Sequence, residues 1–153
     1  MKIKYIFFLI ILFLPNISFS EIIKPSPNLK PQEVIEIQLN ALKNNNLPYL
    51  DAGIEQTWEF AHPSNKIYTG PINNFKKLMY TNSYSMMLNH IEHKIIPIEY
   101  NEDSSFFFIE LIDIEGHMYG FQWIVSKVLT DGELQNCWMT ISVSQPIEIS
   151  KSS

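Results

Sequence analysis

At 153 residues the chain is sized for a single domain, and 16 acidic against 11 basic side chains leave a formal charge of −5. All 11 basic side chains are lysine, so no guanidinium is present to clamp a phosphate or carboxylate with two parallel bonds. The acidic balance and the missing arginine argue against nucleic acid as a partner. Composition is otherwise that of a globular protein without repeats or low-complexity tracts, and its Asn, Ile and Lys content reads as AT-rich bacterial coding.

Residues 1–20 read as a signal peptide. Lys2 and Lys4 form a basic start, the run from Ile6 to Leu14 is apolar but too short to span a bilayer, and Pro15 and Asn16 break it. Ser18 and Ser20 put small residues where a signal peptidase reads, which places the cut before Glu21. The alternative is an uncleaved anchor, since serine serves there less well than alanine. No cysteine follows the apolar run, so a bacterial lipoprotein is excluded. The expected location is periplasmic or secreted, with no membrane association after cleavage. Cys137 is the single cysteine, so no intramolecular disulfide can form. It lies in an apolar strand pattern without a neighbouring base and reads as a small buried hydrophobe.

Residues 21–30, with Pro25 and Pro27 and no periodicity, read as an extended tether. A first helix starts at Pro31, suited to the first helical position, with Glu33 favourable in the first turn. Val34, Ile35, Ile37, Leu39, Ala41 and Leu42 form its apolar stripe, and Asn44 to Asn46 end it. Gln38 falls inside that stripe and must find hydrogen-bond partners, either as a structural tie to a nearby loop or as a pocket residue. A second helix is expected over 48–61, with Ile54, Thr57, Trp58 and Ala61 facing inward. Gly53 inside it costs stability relative to alanine and implies close approach of another backbone. His62-Pro63 stops this helix. A Pro-, Gly- and Asn-rich loop then leads to Thr69-Gly70-Pro71, where Thr69 or Gly70 caps a third helix with Ile72, Phe75 and Met79 on its inner face. The whole stretch from Trp58 to Tyr84 is expected to close one end of a hydrophobic cavity.

From His90 the apolar period changes to two, and four strands are expected over 91–100, 105–114, 117–129 and 134–144, joined by tight turns. The fold class is therefore α+β, with three N-terminal helices packed on a curved four-stranded antiparallel sheet. The domain is expected over 31–145, followed by a tail over 146–153. The second strand is apolar on both faces (Phe106, Phe107, Phe108, Ile109, Leu111, Ile112, Ile114), so the face away from the helices invites a second copy, a homodimer.

Taken in order, Gln38, Ala41-Leu42, Gly53-Ile54, Phe60-Ala61, Pro63, Asn65, Thr69-Gly70-Pro71, Phe75, Tyr84 and Leu88 resemble an uncharacterised family of small bacterial and plant proteins. Trp138, Ile141 and Val143 fit that family's last strand. The family is similar in shape to the nuclear-transport-factor and ketosteroid-isomerase cone, also called cystatin-like or SnoaL-like. The resemblance spans residues 31–143 and implies helices closing an apolar cavity against a concave sheet. Related chains tend to carry arginine where this one has Lys66 and Asn74, which weakens an anion-binding role there. The fold hosts isomerases, dehydratases, hydrolases and simple binders, so it does not decide function.

Enzymes of this cone usually bury a carboxylate or histidine among aromatic rings. Glu110 interrupts the apolar second strand. On a concave face it would be a general base, and on a convex face, the preferred reading, a rim or interface charge. Asp113 lies at a hairpin, where turn chemistry accounts for it. Tyr80 and Tyr100 complete the catalytic candidates as hydrogen-bond donors. Gln38, Trp58, Asn65, Tyr84 and Trp138 are the expected ligand-binding residues, within a wider aromatic set that includes Tyr119 and Trp123. His90 and His93 flank Glu92 at a spacing that on a strand sends the rings to opposite faces, so no metal is expected. His62 is expected at a helix C-terminus, where an imidazolium is favourable and a capping role suffices, and His117 is expected to be exposed. No phosphate loop, dinucleotide fingerprint or serine triad is present, and no cofactor is expected. The expected function is binding of a small apolar or aromatic molecule, or of a protein partner, in or at the cavity. The competing class is a cofactor-free isomerase, dehydratase or hydrolase.

Overall fold

The computed structural model describes residues 21–149, so the expected signal peptide and the last part of the tail lie outside the described residues. Four helices, α1 (Pro31–Lys43), α2 (Ala52–Glu59), α3 (Pro63–Thr69) and α4 (Ile72–Met79), precede a 3₁₀ turn at Ser85–Met87. Five strands follow: β1 (Glu92–Tyr100), β2 (Ser104–Ile112), β3 (Met118–Lys127), β4 (Trp138–Val143) and β5 (Ile147–Glu148). The sheet runs β1-β2-β3-β4, every pairing is antiparallel, and β5 pairs with β3 beyond the end of β4. The class is α+β, with one more helix and one more strand than expected.

α1 forms where its stripe predicts. Pro31 opens it, Glu33 accepts a hydrogen bond from the Lys30 amide at 2.6 Å, and Val34, Ile35, Gln38, Leu39 and Leu42 are buried along one face. α2 starts at Ala52 rather than at residue 48, because the asparagine run builds a cap instead of only ending α1. Asn45 is buried and takes the Gly53 amide on its carbonyl at 2.9 Å and the Ile54 amide on Oδ1 at 3.0 Å. That brings Gly53 onto α1, where an added Cβ would strike the Ala41 carbonyl and lie 2.8 Å from Asn45 Cα. The expected close approach is a contact between helix backbones.

The expected loop after α2 is a helix, α3. His62 Nδ1 accepts the Ser64 amide at 3.1 Å, Pro63 opens the helix, and Gly70 at φ 74° ends it. His62 is thus an N-cap, and its ring must be unprotonated at Nδ1. That corrects the expectation of a favoured imidazolium, and burial lowers its pKa as well. Gly70 closes α3, and Pro71 takes the cap position of α4. α3 buries none of its residues, so it has no apolar period to read.

β2 alternates strictly. Ser105, Phe107, Ile109 and Leu111 are buried under the helices, while Phe106, Phe108, Glu110 and Ile112 are half-buried on the outer face. The Phe108 ring lies on Gly120 of β3, at the place a Cβ would occupy, so part of the outer apolar run is covered from within the sheet. Phe107, Ile109, Leu111, Phe121, Trp123 and Val125 meet Val34, Ile35, Leu39, Leu42, Ile54 and Phe60 in the main core.

β4 begins at Trp138, not at residue 134, because the turn after β3 is a longer loop. Asn136 adopts φ 63°, and the loop closes through Val128 N to Cys137 O at 3.0 Å and Asn136 N to Val128 O at 2.8 Å. Cys137 is buried in a small cluster with Val128 and Met139, and burial pushes its thiol pKa up. β5 forms inside what reads as tail. The tether is extended, as its prolines dictate, yet docked: the Ile23 backbone exchanges two bonds with the Gln56 amide, at 2.7 and 2.9 Å, and Lys24 pairs with Glu59 at 2.9 Å.

Candidate functional site

A buried polar tie joins the helices to the sheet. Trp123 Nε1 on β3 donates to Thr140 Oγ1 on β4 at 2.9 Å, and Thr140 Oγ1 donates to Gln38 Oε1 on α1. Gln38 Nε2 donates to the Thr57 carbonyl on α2 at 3.0 Å, and the Thr57 hydroxyl turns back to Gly53 O at 2.8 Å. Gln38, Thr57, Trp123 and Thr140 are each at most 5 % exposed, so the tie is shielded from water and geometrically specific. Its continuation is backbone: His62 N donates to Thr140 O and Thr140 N to Phe60 O, both at 2.8 Å, which hangs the start of α3 on the edge of β4.

Beside this tie lies a cavity of about 220 Å³ between the helices and the inner face of the sheet. Leu42, Phe75, Leu78, Met79, Met87, Trp123, Ile141 and Val143 make its walls apolar. Gln38, Thr57 and Thr140 line its floor, while Asn65, Tyr68, Thr69 and Tyr84 line it from the α3 side and beyond. The stretch from Trp58 to Tyr84 therefore supplies one side of the cavity, as its composition suggested. Among the described residues the lining contains no Asp, Glu, His, Lys or Cys. The Tyr84 hydroxyl donates to Val143 O at 3.2 Å, and burial raises its pKa, which keeps it neutral.

Of the expected ligand-binding residues, Gln38, Asn65 and Tyr84 line the cavity, whereas Trp58 and Trp138 do not. Trp58 stands one ring behind it, 5.1 Å from the Phe75 ring and under the Lys66 ammonium at 4.9 Å. Burial lowers the Lys66 pKa there. Trp138 stands at the start of β4 with the Lys127 ammonium 5.2 Å from its ring. Gln38 is a structural tie, to a helix carbonyl and a strand hydroxyl rather than to the expected nearby loop, and it borders the cavity as well.

The catalytic candidates are not brought together. Glu110 lies on the outer face opposite Lys94, away from the cavity. Asp113 is bound into its hairpin, Oδ1 accepting the Glu115 and His117 amides at 2.9 Å each. Tyr80 is exposed and donates to Asp51 Oδ1, a bond that raises its phenol pKa. Tyr100 is exposed and sets its ring edge-on to Phe107 at 5.5 Å. Asp113, Glu115 and His117 are the one group among the described residues that bring three metal-ligating atoms within 4.8 Å of one another. Two of the three are exposed and Asp113 is occupied by the turn, so hairpin chemistry explains the cluster.

The two histidines correct the sequence reading. His90 precedes β1 and is not on a strand, which lets its ring meet that of His93: Nε2 and Nδ1 are 2.7 Å apart. His90 Nδ1 donates to the Met87 carbonyl at 2.7 Å, so His90 Nε2 accepts and His93 Nδ1 donates. Burial, reinforced by His93 and Lys43, pushes the His90 pKa down to about 4.

Sequence reasoning missed Thr57 and Thr140. Thr57 reads as one more inward helical position. Thr140 is turned inward by the irregularity in pairing between Ile124 and Val125, which no sequence period announces.

Fold and cavity define a small α+β domain whose helices enclose an uncharged, mostly apolar space against an antiparallel sheet. No protein-family model, curated protein or solved structure matches the chain.

Proposed function

We propose that this is an exported binding domain of the nuclear-transport-factor-like cone type that holds a small uncharged molecule, apolar or aromatic, in the cavity beside Gln38. One observation carries the reading: about 220 Å³ of space whose lining has no ionisable group near neutrality. An apolar cavity of about 150 Å³ already admits benzene, so this one has room for a compound of one or two rings. Burial of the ligand's apolar surface supplies the affinity and the polar floor its orientation. General acid–base chemistry needs a group of suitable pKa within hydrogen-bond reach of the substrate. Glu110 and Asp113 are placed elsewhere, which favours binding over the isomerase, dehydratase or hydrolase alternative. The periplasmic or secreted location rests on the sequence of residues 1–20 alone.

A homodimer through the outer face is the proposed assembly, supported by Phe106, Phe108 and Ile112 standing half-exposed side by side with Ile96. Sedimentation of a strict monomer at high micromolar concentration rules it out.

Native mass spectrometry of the full chain purified from its host tests the binding reading. A retained organic adduct of one- or two-ring size is expected. A bare mass, together with no NMR shift of the Trp123 indole N–H on adding millimolar indole, overturns it.

A further inference from the structure

The tie through Gln38 has a direction that its partners impose. An indole nitrogen only donates and a backbone carbonyl only accepts. Trp123 Nε1 therefore fills one lone pair of Thr140 Oγ1, at 2.9 Å, and the threonine's single hydrogen goes on to Gln38 Oε1. Gln38 Nε2 then gives one hydrogen to Thr57 O at 3.0 Å. The orientation of the amide is fixed by chemistry, since the reverse would set Nε2 against the threonine hydrogen and Oε1 against a carbonyl.

An amide nitrogen carries two hydrogens. Among the described residues Nε2 has one acceptor, Thr57 O. Gln38 is 1 % exposed, so bulk water does not reach the second hydrogen. The side chain is among those bordering the cavity, so an acceptor for that N–H is to be sought there. A buried donor without an acceptor is unfavourable, and whatever supplies one is correspondingly favoured. The same lining offers no cation to an anionic group, so a carboxylate would lose its hydration there uncompensated.

Building on the binding reading above, we propose that the cavity selects uncharged one- or two-ring molecules that carry a carbonyl or ether oxygen. The oxygen accepts from Gln38 Nε2 at the floor and the ring lies against Phe75, Met79 and Trp123. Pure hydrocarbons of the same shape bind less well, and carboxylates are rejected.

Three probes of one shape separate the terms: 1-indanone, indane and indane-1-carboxylate, titrated into the full chain and followed by the NMR shift of the Trp123 indole N–H. The ketone is expected to bind about tenfold more tightly than the hydrocarbon, and the carboxylate at least as weakly as the hydrocarbon. Gln38→Leu abolishes the preference, but it also breaks the tie to Thr140, so the deciding measurement stays in the wild-type chain. In its amide NMR spectrum one Gln38 side-chain proton shifts downfield with 1-indanone and not with indane. Equal affinity for ketone and hydrocarbon leaves the cavity reading standing and overturns the acceptor preference. Preference for the ketone with an unmoved Gln38 resonance overturns Gln38 as the donor. Failure of both neutral probes to bind overturns the cavity reading itself.

Discussion

The cavity has two unlike walls. On one side α1, α2 and β4 are locked by the Gln38 tie, by helix backbones in contact at Gly53, and by Asn45 capping one helix from the end of another. On the other side stands α3, which buries none of its residues and leaves Ile67 and Tyr68 80 % and 89 % exposed. It is held mainly by the Thr140 backbone, a 3.4 Å contact from Asn65 to the same carbonyl, and Lys66 over Trp58. Burial and hydrogen bonding are concentrated where the cavity needs a fixed floor, while the side that supplies Tyr68 and Thr69 is lightly anchored. In the proposed binding reading, the ligand is oriented from the fixed floor and accommodated at the lightly anchored rim.

The contrast breaks first at Gly53. Helix propensity alone favours alanine there by about 1 kcal/mol, but the new methyl would meet backbone on both sides. Gly53→Ala is expected to destabilise by about 3 kcal/mol, read as a lower denaturant midpoint. A neutral or stabilising result would mean that the two helices are not in backbone contact.

Next comes acid. His90 belongs to the locked side, where the Asn89 amide donates to Leu42 O at 2.8 Å at the end of α1. Its pKa falls from 6.5 in the unfolded chain to about 4 in the folded one, because the buried ring resists charging. Between those values the unfolded chain binds the extra proton and the folded chain does not, so stability rises with pH. The contribution is complete above pH 6.5, declines as pH falls to about 4, and totals about 3 kcal/mol. Burial lowers the His93 pKa too, with Lys43 adding and Glu36 and Glu92 opposing, so His93 contributes in the same direction. Unfolding free energies measured from pH 7 to pH 4 should show this slope, and His90→Asn should flatten most of it.

Thr140→Val keeps the shape of the side chain and removes the hydroxyl, leaving the buried Trp123 Nε1 and Gln38 Oε1 without their partner. A loss of about 2 kcal/mol is expected by chemical denaturation. On the opposite wall, Tyr68→Ser and Ile67→Ser should each change stability by less than about 0.5 kcal/mol. A large effect of either would show that α3 packs more tightly than its exposure indicates.

How legible all this was depended on whether a residue's role left a period behind. α1 and the meander of β1 to β4 were readable because burial on one face forces spacings of about 3.6 and 2. Gly53 and Gln38 were readable as anomalies: a glycine in a helix and an amide in an apolar stripe each demand a reason. α3 was not, because a helix that buries nothing has no stripe and is specified by its cap, Pro63 and Gly70. Nor was the meeting of His90 with His93, since strand spacing was applied to a pair of which His90 lies two residues before β1. Trp58 and Trp138 looked like lining because aromatic residues beside a cavity and aromatic residues behind its first layer share one pattern.

Residue order alone determined that this chain would form helices first and an antiparallel meander after, and that no guanidinium would be present to clamp an anion with two parallel bonds. Those outcomes follow from local periodicity and from which side chains exist at all. Only the tertiary structure decided that Gln38, Thr57, Trp123 and Thr140 would share one hydrogen-bonded line, and that the carboxylates would stay away from the cavity. Positions 102 residues apart, such as Gln38 and Thr140, meet through strand register and a pairing irregularity, and neither is written in any local pattern.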